Sequence, residues 1–191
     1  MIKIGILGKI GSGKSFIAKQ FDFPVFNADD EVEKIYRIDK KCYAKLNKVI
    51  PQHILSFPIN KKEIVKSILS NQKNLKKIIK IVHPIVRSKM NKFICKNKNK
   101  KMIILDIPLF LENKLKKKDH ILVYVDAKNK KINENLKKRK NYNLKVINLL
   151  KKLQFSADYK KKKSDFIIKN NFKSQAVKKS VKLIKNIILN K

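Results

Sequence analysis

The chain predicts a three-layer α/β fold in which a five-stranded parallel sheet lies between helices. Three observations lead there. Five short apolar runs are spaced along the 191 residues, each bounded by glycine, proline or charged residues. Between them lie longer stretches whose apolar residues recur at three- and four-residue spacing. No segment is long or flexible enough to serve as a linker and no internal repeat is visible, so residues 1–191 read as a single domain. Short strands that alternate with helices bury a parallel sheet on both faces.

Taken in order, Ile2 to Leu7 is a buried strand that ends in a glycine loop, and Ser15 to about Phe21 is helical. Pro24 to Phe26 is a second short strand. Asp29 to about Val49 reads as one helix, because Asp29, Asp30 and Glu31 favour its amino end. Pro51 to Pro58 is a loop. Lys61 to about Val82 and Pro84 to about Lys96 are helices divided at His83-Pro84, since proline restricts the residue before it. A polar turn at 97–101 leads into Met102 to Ile107, the third strand, and His120 to Val125 is the fourth. Lys130 to Lys140 and Leu144 to about Leu153 are basic helices with a tight link at 141–143. Phe166 to Lys169 is the last strand, and Gln175 to Leu189 a closing amphipathic helix.

Composition narrows the function. Hydrophobic residues make up 43 % of the chain, a globular proportion, and no apolar run approaches the roughly 20 residues of a membrane span. The opening MIKIGIL is too short for a signal peptide, and Cys42 and Cys95 read as free thiols of a reducing cytoplasm. Basic residues number 49 against 14 acidic, a balance of +35. Arginine occurs only at Arg37, Arg87 and Arg139, and Lys, Asn and Ile are enriched together along the whole chain. That pattern fits drift toward A/T-rich codons better than a dedicated nucleic-acid surface, where arginines would fork onto phosphates. Either way, the positive field recruits polyanionic small molecules.

The strongest chemical signal is GKIGSGKS at 8–15, which satisfies the G-x-x-x-x-G-K-[ST] pattern between a strand and a helix. Gly8, Gly11 and Gly13 allow successive N–H groups to converge on a phosphate, with Ile10, Ser12 and Phe16 completing the nucleotide-contacting stretch. Lys14 is placed to bridge the β- and γ-phosphates of ATP, and the Ser15 hydroxyl to ligate Mg²⁺. All four glycines of the chain fall in its first 13 residues, so a chain poor in glycine has kept it where backbone freedom counts. A second Mg²⁺ ligand is expected at a neighbouring strand end; Asp106 fits, and Asp126 competes on pattern alone. A basic helical pair before the final strand, about 130–160, resembles the lid of P-loop small-molecule kinases, and Arg139 is its one candidate clamp for the γ-phosphate.

With these motifs in hand, the chain resembles the dephospho-coenzyme A kinase family over nearly its whole length. The family's glycine loop is matched with Lys9 as the one change, and its D-A-D segment by Asn27-Ala28-Asp29. Its H-P-x-V element is matched by His83, Pro84 and Val86, and D-[IV]-P-L-L-[FIL]-E by DIPLFLE at 106–112. The lid arginine matches Arg139, the lid-end glutamine Gln154, and A-D-[FY]-V-I-x-N matches SDFIIKN at 164–170. The resemblance implies the P-loop NTPase fold with a helical acceptor-binding insertion at about 30–100. It implies ATP-dependent phosphorylation of the ribose 3′-hydroxyl of dephospho-coenzyme A, with Asp29 as general base and His83 and Arg87 on the acceptor. Asp30 could serve as base by proximity; Asp29 is preferred because it aligns with the family's second aspartate. The expected partners are these small molecules, with no nucleic acid or membrane, in the cytoplasm; the sequence leaves the oligomeric state open and favours a monomer.

The departures are specific. Asn27 replaces the first aspartate of D-A-D, Lys61 a family arginine, and Asn135 and Leu149 two lid arginines. Lys137, Lys138 and Lys145 are the cations at hand to compensate, without the bidentate fork of arginine. Two other readings compete: a P-loop nucleotide or nucleoside kinase with another acceptor, and a basic ATPase that binds nucleic acid.

Overall fold

The computed structural model describes residues 1–138 and 142–190. Chain order gives β1 (Ile2–Gly8), α1 (Lys14–Lys19) and β2 (Val25–Asn27), then α2 (Ala28–Ile38), α3 (Lys40–Val49), α4 (Lys61–Ser70) and α5 (Lys73–Lys96). There follow β3 (Met102–Asp106), β4 (His120–Asp126), α6 (Asn129–Lys137), α7 (Leu144–Lys152), α8 (Ala157–Lys162), β5 (Phe166–Lys169) and α9 (Ser174–Leu189). The chain divides into two compact units, residues 1–27 with 97–191, and residues 28–96.

The first unit holds the sheet, whose strand order is β2-β3-β1-β4-β5 with every pairing parallel. Alternation sorts the side chains by face. Ile4, Ile6, Met102, Ile104, Val123, Val125 and Ile168 form one buried cluster with Ile17 and Ala18 of α1 and with Val177, Val181, Ile184 and Ile188 of α9. The four α9 positions recur at helical spacing, and each is worth about 1.5–3 kcal/mol of apolar burial at most. Phe110 and α8 approach the other face at β1 and β4. Asp165 closes the start of β5: its backbone N–H donates to Leu122 O at 2.8 Å, and its Oδ2 accepts from Leu122 N at 2.8 Å. Such a placing puts the carboxyl ends of β1, β3 and β2 side by side, with Gly5 opposite Leu105 and Asn27 opposite Asp106.

The second unit is helical and is organised by α5, which packs on α2, α3 and α4. Ile78, Val82, Val86 and Met90 of α5, four residues apart, are its buried stripe.

Three expected boundaries shift. Proline 84 does not end a helix: α5 runs through it, because the continuous stripe from Ile78 to Met90 outweighs one lost backbone hydrogen bond. The division falls instead at Asn71, whose Oδ1 accepts from Lys73 N at 2.9 Å and opens α5. Asp39 splits the helix expected over 29–49, since its extended backbone and its Oδ1, 2.8 Å from Cys42 N, cap a new helix. Helix α8 was not expected; Ser156 Oγ caps it by accepting from Tyr159 N at 3.2 Å. No described helix is long and apolar enough to cross a membrane.

Candidate active site

Gly8 ends β1, Ile10, Gly11, Ser12 and Gly13 lie in the loop that follows, and Lys14, Ser15 and Phe16 open α1. Ser12 N donates to Lys9 O at 3.1 Å, and Gly11 and Gly13 hold φ of 84° and 88°. A side chain in that left-handed region costs about 1–2 kcal/mol, so glycine is the residue that permits the turn. Gly13 O accepts from Ile17 N at 3.1 Å, which starts α1 with Lys14 and Ser15 in its first turn. Left-handed glycines followed at once by a helix start are the backbone conformation in which N–H groups can converge on an anion. Lys14 Nζ bends back over the loop, 3.1 Å from Lys9 O and 3.4 Å from Gly8 O. Phe16 is exposed beside it.

Asp106 ends β3 at the same edge of the sheet and is buried, 3 % exposed. Asn27 Nδ2 donates to its Oδ2 at 3.2 Å. An amide at position 27 thus meets the Asp106 carboxylate with a hydrogen bond, where a second carboxylate would meet it with repulsion. Asp126, the rival from the next strand, is ion-paired with Lys161 Nζ at 2.9 Å. Lys161 also lies 5.7 Å from the centre of the Tyr124 ring, whose hydroxyl pKa is pushed up to about 12, chiefly by burial.

Helices α6 and α7 rest directly on the loop, a relation the sequence did not reveal. Ile132 and Leu136 of α6 and Ile147 of α7 form a small apolar cluster, and Ile10 packs against it. Leu136 Cγ stands 2.7 Å from where a Cβ on Gly11 would be. Lys9 Nζ donates to Asn129 Oδ1 at 2.9 Å, tying the loop to the start of α6. Past α7, Glu112 holds the chain: its Oε1 accepts from Phe155 N at 2.7 Å and pairs with Lys160 Nζ at 2.7 Å. Both side chains are almost fully buried, and Glu112 Oε2 has no hydrogen-bond partner among the described residues. Arg139 lies outside the described residues. A second unanticipated contact is made by Asn170, which ends the SDFIIKN motif and donates to the Ser12 carbonyl at 2.8 Å.

The remaining site residues belong to the helical unit. Asp29 and Asp30 are exposed in the first turn of α2, where the helix end favours a carboxylate. Glu31 beside them is held by Lys34 at 2.7 Å and Lys89 at 3.9 Å. Lys61 makes an exposed pair with Glu33 at 2.9 Å, which holds the Glu33 carboxyl below its usual range. His83 and Arg87 lie one turn apart on α5 and line a cavity of about 590 Å³ with Pro84, Ser88, Asn91, Lys92 and Cys95. From His83 to Cys95 this groove follows α5 for about 18 Å at 1.5 Å per residue.

Comparison with known proteins turns this geometry into a family. The structure superposes on a crystal structure from Thermus thermophilus with a TM-score of 0.76, at 22 % identity, covering 96 % of this chain and 95 % of that one. It superposes on a dephospho-CoA kinase from Campylobacter jejuni with a TM-score of 0.65, at 20 % identity, covering 97 % and 96 %. A shikimate kinase from Acinetobacter baumannii follows the same fold at a TM-score of 0.56, with 15 % identity over 100 % of this chain and 94 % of that one. These likenesses establish the three-layer P-loop fold. In sequence, the dephospho-CoA kinase of Wolbachia pipientis wMel is 33 % identical over 184 residues, 94 % of each chain. The dephospho-CoA kinase of Bartonella henselae is 31 % identical over 170 residues, 86 % of this chain and 87 % of its own. Since the family model for dephospho-CoA kinase matches residues 2–176 as well, this chain belongs to the dephospho-CoA kinase family.

Proposed function

We propose that this chain transfers the γ-phosphoryl group of ATP to the ribose 3′-hydroxyl of dephospho-coenzyme A, giving coenzyme A and ADP. The observation that carries this reading is the glycine cradle at 8–15, built with left-handed glycines and a lysine over its mouth, in a chain that the family model matches from residue 2 to 176. Backbone N–H groups of the cradle bind the triphosphate, and Lys14 exchanges its loop carbonyls for phosphate oxygens. The acceptor oxygen attacks phosphorus, the bond to the β-phosphate oxygen breaks, and its electron pair leaves with ADP. The proton passes to Asp29. Asp29 and Asp30 are both in the first turn of α2, and the family pattern selects Asp29 as the base. Arg139, a guanidinium fork among lysines, steadies the transferring group.

The donors suit Mg²⁺. A serine hydroxyl at Ser15 and a buried carboxylate at Asp106 are hard oxygen ligands, and no cluster of three or more His, Cys, Asp or Glu forms a metal cage among the described residues. That sparse set fits a cation held largely by phosphates and water. Mg²⁺, when bound, supplies neutralisation of phosphate charge. The α5 groove, with His83, Arg87 and Lys92 along a course of about 18 Å at 1.5 Å per residue, suits an extended anionic acceptor. A cytoplasmic location belongs to the same reading.

An ADP-release assay run in parallel with dephospho-coenzyme A, adenosine, AMP, CMP and RNA tests it. Turnover is expected with the first alone; turnover with another acceptor and none with the first rejects the assignment. Asp29→Asn is expected to lower transfer by about 10²–10⁴ while ATP still binds, and near-normal transfer would remove Asp29 as the base.

A further inference from the structure

We infer that Asn170, at the end of β5, is a positioning residue for the nucleotide site: its side-chain amide sets the direction of a cradle N–H. Its Nδ2 donates to Ser12 O at 2.8 Å, a buried bond between residues 158 positions apart. The peptide that joins Ser12 to Gly13 is planar and trans, so its C=O and N–H point in opposite directions. Holding the Ser12 carbonyl against β5 therefore turns the Gly13 N–H to the other side, into the concavity of the loop. Gly13 takes its left-handed φ of 88° against the same amide, and the Asn170 Nδ2 occupies the place a Gly13 Cβ would need.

Asn170 is itself fixed by two further hydrogen bonds and by burial. Its backbone N–H donates to Asp126 O at 2.7 Å, extending the β4–β5 ladder. Its Oδ1 accepts from Phe172 N at 2.8 Å, and Phe172 takes φ of 64°, a conformation a bulky residue adopts only where its surroundings enforce it. The side chain is 4 % exposed. With both polar atoms engaged and a packed environment, the amide can present only Nδ2 to the loop. Through that bond Asn170 acts on the Ser12–Gly13 peptide, and so on nucleotide affinity.

The inference rests on the reading of residues 8–15 as the nucleotide site, and ADP binding separates the two. ADP affinity is measured by calorimetry on the full chain for the parent, Asn170→Asp, Asn170→Ala and Asn171→Asp. Aspartate keeps the acceptor for Phe172 N but cannot donate to Ser12 O; alanine loses both. If the bond to Ser12 is what matters, both Asn170 variants weaken ADP about tenfold and raise the KM for ATP alike. The KM for the acceptor stays level, and Asn171→Asp, which alters only an exposed turn, binds as the parent does. ADP binding by Asn170→Asp within twofold of the parent overturns the inference, as does an equal rise in both KM values. A parent chain that binds no ADP overturns the nucleotide site along with it. A measurement on the parent covers variants that fail to fold: the Asn170 side-chain amide resonances should move and exchange more slowly when ADP is added. Indifference of those resonances to saturating ADP refutes the positioning role.

Discussion

Gly11→Ala, alone and with Leu136→Ala, measures how firmly α6 rests on the glycine loop. Gly11 has φ of 84°, and its added Cβ would lie 2.7 Å from Leu136 Cγ and 2.9 Å from Cδ2. Two costs follow: about 1–2 kcal/mol for an alanine in the left-handed region, and about 1–3 kcal/mol for forcing a buried leucine aside. The single variant should therefore lose about 2–5 kcal/mol. Leu136→Ala alone leaves a cavity beside Ile132 and Ile147 and costs about 2–5 kcal/mol. In the double variant the cavity receives the methyl, the overpacking cost disappears, and the strain at residue 11 remains. The loss should fall short of the sum by about 1–3 kcal/mol. Urea unfolding with a common m value gives these energies. ADP affinity should follow the same pattern, with recovery in the double variant, because the residue that clashes with α6 belongs to the cradle. Additivity within about 0.5 kcal/mol would refute the contact between α6 and the loop.

Lys160→Met should cost about 3–5 kcal/mol, because it leaves the buried Glu112 carboxylate without its cation, and adding Glu112→Gln should restore part of that loss; chemical denaturation reads both. Of the two thiols, Cys42 is buried with its pKa pushed up to about 11, mainly by burial, whereas Cys95 is exposed. One thiol should react quickly with a disulfide reagent at pH 8 and two after unfolding; rapid reaction of both in the native chain would contradict the packing. His120 is held below its usual pKa, first by burial and also by Lys3, Lys117 and Lys116, with Asp119 opposing. The unfolded chain then binds the proton more readily, so stability is full above about pH 6.5 and falls as pH drops from there toward the folded pKa. His120→Gln should flatten that segment of the stability curve, and a slope identical to the parent's between pH 6.5 and 5 would refute the assignment.

What the sequence shows of this protein is what local chemistry enforces. The five strands are legible because each is a short apolar run and the sheet is covered, and the glycine loop because its conformation tolerates few other residues. Asp29, Lys14 and Asp106 stand out as candidates for a related reason: they fall at helix starts or a strand end, places that motifs record. Helix boundaries were less so. Proline 84 looked like a break because its local penalty is visible, whereas the packing of Ile78, Val82, Val86 and Met90 that outweighs it is not. The contacts that shape the site were hidden for a stronger reason. Ser12 and Asn170 are 158 positions apart, Glu112 and Phe155 are 43, and Lys9 and Asn129 are 120. Nothing near Asn170 in sequence says what its amide will hold; only the order of strands, which carries β5 to the loop by way of β4, puts it there. The same reasoning explains why Asn27 can stand where the family has aspartate. Its role is set by Asp106 on the neighbouring strand, and an amide opposite a carboxylate keeps the pairing while removing a charge.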